Sequence, residues 1–596
     1  MSEEKPRPAE PPLAVAPART RSVFYRSVLE FFQDLPTEAR RFWVLVMITG
    51  VAAGCAAAAF LYLLRLVQSL SWPAAPTYLA AIESAGWGRR ILVPALAGLL
   101  ITALWRLTRQ KLSGHGTPGV IEAIWNKEGR LSLSRALLRD ASSIVAVSMG
   151  ASLGREGALI QTGAATGSWL GSRLRLSGAQ VRLLCACGAA AGISAAYNVP
   201  IGGAVFGLEV LLGSFALELF GPVVISCVLA TLISRLLIEN HPTYDVPHYT
   251  LMTWRDFALM PLLGPILGAA SALYVRGLDA ISLALARVPA KLAYAMPPLV
   301  LAMVGTASIW FPQILGNGYN TVDHALLGKL SLDLLLLLPL LKFAATALCT
   351  SAGVPGGLFT PTLYVGALLG GALGVMVQSV WPGSTPPGAY ALVGMGCILA
   401  GTTHATVSSV LIIFEMTGNY DVILALMLSC VLAAAVSKSL EPDSLYTAAL
   451  RRRKVRLPER PRPEWLAQMR VSALLEPGVE TVPSMMPFGQ VVLRLISLEP
   501  GHDLYVVAPD GRYLGVIVLD ALKGNIPDWS DLTTMVVAAD VVDSALQPVA
   551  PGLPLSALRA RFADTYLERL PVVDGESGRL LGTVSKGQLL KSSDPA

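Results

Sequence analysis

One long apolar region, from about residue 42 to residue 439, most constrains what this chain can fold into. Over the whole chain only 14% of residues are charged and 53% are hydrophobic, whereas soluble proteins carry about 25% charged residues. Residues 42–70 and 257–275 are long enough to cross a bilayer, since a membrane-spanning helix needs about 20 apolar residues. The sequence therefore predicts a mainly α-helical membrane protein.

Other apolar segments are too short to cross a bilayer. Residues 141–153, 199–212 and 405–416 are closed off by glycine, proline or polar residues. Backbone N–H and C=O groups need partners in lipid, so a helix that stops part way must lie inside protein or beside a water-filled cavity. Broken helices of this kind are typical of transporters whose binding site lies near the midplane.

An internal repeat runs through the apolar region. Three glycines recur after a displacement of 203 residues: Gly154, Gly163 and Gly167 reappear as Gly357, Gly366 and Gly370. Glu209 recurs as Glu415 at a displacement of 206, and GHG at 114–116 is echoed by GNG at 316–318. Transporter folds are often built from two halves of opposite topology. We therefore predict two repeats, at roughly residues 42–240 and 257–439.

Basic residues lie at both ends of the apolar region. Residues 1–41 contain seven lysines and arginines without an early apolar core, and residues 451–456 contain five. The excess of basic residues on cytoplasmic flanks predicts a cytoplasmic N-terminal segment at 1–41, a cytoplasmic C-terminal side and an even number of crossings. No cleavable signal peptide is predicted. Because the net charge of +6 is concentrated at these flanks, nucleic-acid binding is not expected.

The character of the chain changes after the predicted membrane domain at 42–450. A proline-rich linker at 451–466 precedes a soluble region at 467–596 that contains its own duplication. LYVVAPDGRYLGVIVLDALK at 504–523 is similar to LPVVDGESGRLLGTVSKGQLLK at 570–591. Each copy reads as strand, glycine turn, strand and helix, which resembles a tandem pair of α/β CBS modules.

Two adjacent charges stand out in the first repeat. Arg155 and Glu156 are the only charged residues between Asp140 and Arg173. A lone carboxylate in hydrocarbon costs roughly 2.5–3.5 kcal/mol on insertion scales, so its presence needs a reason. Glu156 lies in GREG, a glycine-lined start for a helix at Gly157, and GVPGGLFTP and GHGTPG provide two further starts.

Helix N-termini attract anions because their first N–H groups are unpaired and the helix dipole is positive there. Three such starts, two of them related by the repeat, predict a single anion site. The alternative for each motif is that its glycines only allow close helix packing. For Glu156 the alternative is a structural pair with Arg155.

These motifs resemble the CLC family of chloride channels and proton-coupled chloride antiporters over essentially the whole chain. The matching signatures are GREG at 154–157, NVP at 198–200 followed by FGLE, GGLFTP at 356–361, FEMTGNY at 414–420 and LYTAAL around Tyr446. The resemblance implies an inverted repeat of tilted and broken helices and a homodimer in the bilayer with one pore per subunit. It also implies that Glu156 is the gating glutamate, and no cofactor or metal is expected.

The resemblance assigns the other anion-binding positions as well. They are His115, Gly116, Gly157, Leu358, Phe359 and Tyr446. For Phe359 and Tyr446 the alternative is ordinary aromatic packing. His115 departs from the serine that is usual in the family, so a preference for another anion stays open, as does an orientation away from the pore.

Val210 is the second departure from the family pattern. Proton-coupled members usually have a glutamate directly after the residue that matches Glu209, and valine cannot carry a proton. The sequence therefore favours passive, channel-like anion flow, with proton-coupled antiport as the alternative and Glu209 as the candidate proton relay. A bacterial inner or plasma membrane is the expected location.

Two other functional classes compete with transport. A membrane enzyme is disfavoured because HExxH is absent and no GxSxG nucleophile motif accompanies a suitable histidine. A sensor that uses the membrane region only as an anchor needs one or two spans, not a duplicated set of broken helices. Adenine nucleotide binding to the CBS pair is not expected, because neither module has the ribose-binding carboxylate at its place; the residues there are Val518 and Ala521, and Ser585 and Gln588.

Overall fold

The computed structural model describes residues 37–108, 116–238, 243–244, 246–249, 254–289, 292–457, 470–498, 503–518, 536–544, 546–563, 565 and 567–591. The chain divides into two compact units between residues 458 and 459. This boundary falls within the linker predicted at 451–466. His115 and most of the N-terminal segment lie outside the described residues.

Within its described residues, the first unit consists of helices joined by short loops. Its first half contains α1 (Thr37–Ser71), α2 (Tyr78–Ser84), α3 (Trp87–Thr108), α4 (Gly116–Asn126), α5 (Leu133–Ser148), α6 (Glu156–Arg173), α7 (Gly178–Tyr197), α8 (Pro200–Phe206), continued by a π-helical turn at Gly207–Leu212, and α9 (Leu217–Leu237). Its second half contains α10 (Trp254–Leu285), α11 (Met296–Ala307), α12 (Tyr319–Leu326), α13 (Leu332–Ser351), α14 (Phe359–Val380), α15 (Pro387–Thr403), α16 (Thr406–Thr417) and α17 (Ile423–Leu440), after which α18 (Leu445–Arg452) follows.

Eight helices within the described residues are long and apolar enough to cross a membrane. The spans predicted at 42–70 and 257–275 correspond to α1 and α10, which are both longer than their apolar cores. The predicted segment 141–153 is wrong in both bounds, because α5 runs from Leu133 to Ser148. Ser132 caps that start by accepting a hydrogen bond from the Arg135 N–H, so the helix includes a polar first turn that an apolar count misses.

Glycines bring the paired helices of each half into backbone contact. α6 packs on α7, and α14 packs on α15. A methyl group added to Gly163 would overlap the Gly188 carbonyl, and one added to Gly366 would overlap the Gly394 carbonyl. Without a large hydrophobic effect between helices in lipid, such small-residue contacts stabilise helix pairs through close packing.

The two halves also cap one another. Glu415 on α16 accepts hydrogen bonds from the N–H groups of Ile201 (3.0 Å) and Gly202 (2.6 Å) at the start of α8. Glu209 in turn accepts from the N–H groups of Val407 (3.3 Å) and Ser408 (2.8 Å) at the start of α16. Each carboxylate thus pairs with N–H groups that the other half's helix leaves without an intrahelical partner.

The second unit contains two small sheets and several short helices within its described residues. The elements are β1 (Thr481–Pro483), α19 (Phe488–Ser497), β2 (Leu504–Val507), β3 (Tyr513–Ile517), α20 (Leu555–Ala563), β4 (Arg569–Val573), β5 (Leu580–Ser585) and α21 (Lys586–Lys591). β2 pairs antiparallel with β3, and β1 joins β2 in parallel, while β4 pairs antiparallel with β5. Isolated antiparallel bridges also join Val516 to Asp543 and Thr583 to Glu476.

Candidate anion site

Three helix starts meet at one point inside the first unit. α4 begins at Gly116, α6 at Glu156 and α14 at Phe359. A methyl group added to Gly157 would lie 3.2 Å from the Gly116 nitrogen and 3.4 Å from Gly357 Cα, so the three backbones are nearly in contact. α6 begins at Glu156, one residue before the start predicted at Gly157. The unpaired first N–H groups and the positive dipole ends of three helices surround the same space.

Gly154 and Gly357, the repeat-related glycines, hold two of these starts together. Their backbones form an antiparallel bridge with two hydrogen bonds, from the Gly154 N–H to the Gly357 carbonyl (2.8 Å) and from the Gly357 N–H to the Gly154 carbonyl (2.6 Å). The Glu156 carboxylate lies against both residues, because a methyl group on either would collide with it. Only glycine leaves room for the carboxylate at these positions.

The Glu156 side chain is 1% exposed and has an asymmetric environment. Oε1 accepts hydrogen bonds from the hydroxyls of Tyr197 and Thr360. Oε2 is buried without a hydrogen-bond partner among the described residues. A buried carboxylate oxygen without a hydrogen-bond partner is costly, which makes Glu156 a candidate functional residue.

Arg155 points away from its neighbour. Its guanidinium donates to the Ala196 carbonyl (3.1 Å) and lies 5.2 Å from the centroid of the Tyr319 ring. Among the described residues, no ion pair within 4.0 Å joins Arg155 to Glu156. The simple structural pair that was the alternative for Glu156 is therefore not formed.

The remaining predicted anion-binding residues within the described range are buried around the helix starts. Leu358 occupies the N-cap position of α14, and Phe359 follows it with its ring 5.1 Å from the Tyr197 ring. Tyr446, on α18, packs edge-on against Phe206 at 6.3 Å, and α18 itself packs on α4. Both aromatic side chains thus have the packing role of the alternative interpretation, and their anion-binding roles stay predictions. His115 lies outside the described residues.

A cavity of about 250 Å³ lies next to this site. Its lining includes Arg65, Arg155, Tyr197, Tyr319 and Asp323. Arg155 and Tyr197 also adjoin Glu156, so the cavity reaches the immediate surroundings of the carboxylate. Its mixed charges and polar groups suit water and small ions better than an apolar ligand.

Two residues at the site were not singled out from the sequence. Tyr197 directly precedes the NVP signature, and Thr360 lies inside GGLFTP, so both hydroxyls stand within motifs that were quoted for other residues. Val210 is buried, and the adjacent Glu209 carboxylate caps α16 as described above. The sequence predicted neither the capping role of Glu209 nor the convergence of both hydroxyls on one carboxylate oxygen.

Comparison with known proteins decides the family. The family model for voltage-gated chloride channels matches residues 95–438, and that for the CBS domain matches residues 537–594. The chain belongs to the CLC family. A ClcB-like chloride channel protein from Ralstonia nicotianae is 38% identical over 419 residues, covering 69% of this chain and 97% of the relative. The voltage-gated ClC-type chloride channel ClcB of Escherichia coli is 34% identical over 417 residues, covering 68% of this chain and 97% of the relative.

Solved structures agree with this assignment. The crystal structure of a slow cyanobacterial Cl⁻/H⁺ antiporter is 25% identical, with a TM-score of 0.64, and covers 69% of this chain and 98% of that chain. A eukaryotic CLC transporter, at 19% identity and a TM-score of 0.59, covers 92% of this chain and 98% of its own, and shows the same fold. The fold is thus the mainly helical CLC fold followed by a strand-containing CBS region, as the sequence predicts. The CLC family consists of chloride channels and transporters.

Proposed function

We propose that this chain conducts chloride or another small anion passively through a CLC-type pore that Glu156 gates. The observation that carries the proposal is the buried Glu156 carboxylate at the meeting point of three helix N-termini. An ionised carboxylate and a chloride ion are both stabilised by the positive dipole ends of these helices, so they compete for one place. Protonation removes the charge of the side chain and frees that place for the anion.

The passive mode rests on the residues at the inner end of the first repeat. Antiport requires protons to reach Glu156 across an apolar interior, which takes a titratable side chain or a water chain. Val210 supplies no such group. The Glu209 carboxylate accepts hydrogen bonds from two N–H groups and from the Ser408 hydroxyl (2.5 Å), which favours a fixed capping role over proton relay.

Proton-coupled exchange is the second candidate, and its support is the likeness to the cyanobacterial antiporter. Selectivity for an anion other than chloride is a variant of either candidate, because His115 replaces the family's usual serine.

The remaining parts of the proposal follow from the family and the sequence. We expect a homodimer in a bacterial inner or plasma membrane with both termini in the cytoplasm, and transport without enzymatic activity or a cofactor. We expect the CBS pair to influence gating without adenine nucleotide. Calorimetry with ATP and AMP that gave micromolar binding would contradict this last expectation.

Glu156→Gln tests the gate directly, because the neutral amide resembles the protonated acid. We expect the variant to fold and to conduct anions with most of the pH dependence removed, measured as chloride efflux from proteoliposomes between pH 4.5 and 8. Glu218→Gln is the matched control, since Glu218 also lies in the first turn of a helix but is exposed. Wild-type pH dependence in Glu156→Gln would overturn the proposal.

A further inference from the structure

Two hydroxyl groups converge on one oxygen of the Glu156 carboxylate. Tyr197 is the last residue of α7, and Thr360 is the second residue of α14. Both side chains are almost fully buried, and both hydroxyls hydrogen-bond to Oε1. The two hydroxyl oxygens also lie 2.8 Å from each other. We call Tyr197 and Thr360 together the hydroxyl pair.

The hydroxyl pair favours the charged form of Glu156, because both hydroxyl groups can donate to an ionised carboxylate oxygen. When the carboxylate is ionised, both hydroxyl protons can point at Oε1, and hydrogen bonds to an ionised acceptor are roughly twice as strong as neutral ones. Because the site is buried, each such bond is stronger than in water. Protonation of the carboxylate removes this charge-assisted stabilisation.

We propose that the hydroxyl pair positions ionised Glu156 in the anion's place and thereby sets the pH at which the pore opens. The inference rests on the proposed gating function of Glu156 and adds two positioning residues to it. Neither residue is required for the carboxylate to compete with chloride. Loss of either hydroxyl lets the pore open at a higher pH than in the wild-type protein.

Other charged or titratable groups surround the site, but their contacts differ from those of the hydroxyl pair. They are Arg155 on the same helix start, Tyr244, Tyr319 and Asp323 near the cavity, and Tyr446 on α18. Arg155 acts on Glu156 only through space, because its guanidinium is directed at Ala196 and Tyr319. Among the described side chains, only Tyr197 and Thr360 hydrogen-bond to the carboxylate.

The packing of both residues allows each hydroxyl to be removed without changing the shape of the site. The Tyr197 ring contacts the Phe359 ring at 5.1 Å and the Tyr319 ring at 6.5 Å, and Tyr197→Phe keeps these contacts. Thr360→Val keeps the branched side chain at the start of α14. Thr360→Ser removes only the methyl group and retains the hydroxyl.

The experiment measures chloride efflux from proteoliposomes as a function of pH for these variants. We expect Tyr197→Phe and Thr360→Val each to raise the pH of half-maximal flux by about one unit, given the usual size of a hydrogen bond to a charged group. The direction follows because a carboxylate that has lost a donor takes up its proton at a higher pH. Thr360→Ser should keep the wild-type midpoint.

Thr362→Val is the matched control for Thr360→Val. Thr362 is buried on the same helix, but its hydroxyl donates to the Phe359 carbonyl (2.6 Å) and does not contact Glu156. A midpoint shift in Thr360→Val equal to that in Thr362→Val would overturn the inference, as would wild-type midpoints in both Tyr197→Phe and Thr360→Val.

The Glu156→Gln background separates failure of this inference from failure of the proposed function. If Glu156→Gln removes the pH dependence while the hydroxyl variants keep the wild-type midpoint, only the role of the hydroxyl pair is wrong. If Glu156→Gln retains the wild-type pH dependence, the gate itself is wrong, and the inference falls with it. Support requires shifted midpoints in the single variants and, when either change is combined with Glu156→Gln, the same pH dependence as in Glu156→Gln alone.

Discussion

The starts of α6 and α14 occupy equivalent places in the two halves, but the side chains of their first two residues differ. Both helices begin two residues after a bridged glycine, and neither N-cap residue provides a side-chain hydrogen bond. At a displacement of 203 residues, Glu156 corresponds to Phe359 and Gly157 corresponds to Thr360. The first half thus provides a carboxylate, and the second provides a hydroxyl that binds it.

Other repeat-related features are the same in both halves. Glycine pairs bring α6 against α7 and α14 against α15, and Glu209 and Glu415 cap each other's neighbouring helices. The shared features thus build the scaffold, and the divergent residues include the proposed gate Glu156 and its partner Thr360. Changes to shared features should therefore lower stability by similar amounts in both halves, whereas changes to divergent residues should alter gating.

The largest effect on stability is expected at the glycine contacts. Gly163→Val and Gly366→Val would each force a side chain into the backbone of the partner helix, at a cost of about 3 kcal/mol. Both should markedly lower the midpoint of thermal unfolding in detergent. Gly88→Val is the control, since nothing lies within 4 Å of the added Cβ there. A large loss of stability in only one of the two variants would show that the glycine contacts of the two halves are not equivalent.

Smaller and equal effects are expected at the reciprocal caps. Glu209→Ala and Glu415→Ala each leave helix N–H groups without their acceptor, which should cost about 1–2 kcal/mol. The same thermal unfolding measurement checks this. If Glu209→Ala left stability unchanged but altered proton movement, Glu209 would be a relay and the two caps would not be equivalent.

The sequence predicted the scaffold better than the immediate surroundings of Glu156. Glycine spacing indicated both the repeat and the helix starts, because close backbone contact between membrane helices requires small residues. No residue pattern in the sequence indicated the partners of Glu156. Tyr197 lies 41 residues from Glu156 and Thr360 lies 204 residues away, so their contact depends on the tertiary packing of three helices. A hydroxyl inside a motif does not indicate its direction.

The start of α5 was missed for a different reason. The first turn of this helix is polar, and it is held by a serine cap, not by apolar periodicity. Apolar counting therefore located the helix but not its beginning.

The smallest effect among these predictions is expected at His115, which replaces the family's usual serine. His115→Ser should change the relative permeability of chloride, nitrate and larger anions by less than about tenfold, because a single hydrogen-bond donor is exchanged for another. His115→Ala should weaken anion binding. Permeability ratios from reversal potentials in planar bilayers provide the measurement, and identical ratios in all three proteins would show that this side chain does not face the pore.

The most direct test of passive, Glu156-gated flow measures anion and proton movement together. Sealed vesicles that contain the purified protein receive a chloride gradient, an ionophore holds the membrane voltage at zero, and an electrode follows the external pH. Vesicles without protein and vesicles with Glu156→Gln serve as controls. We predict chloride flux without uphill proton movement; protons driven uphill by the chloride gradient in the wild-type protein, and absent in both controls, would contradict the account.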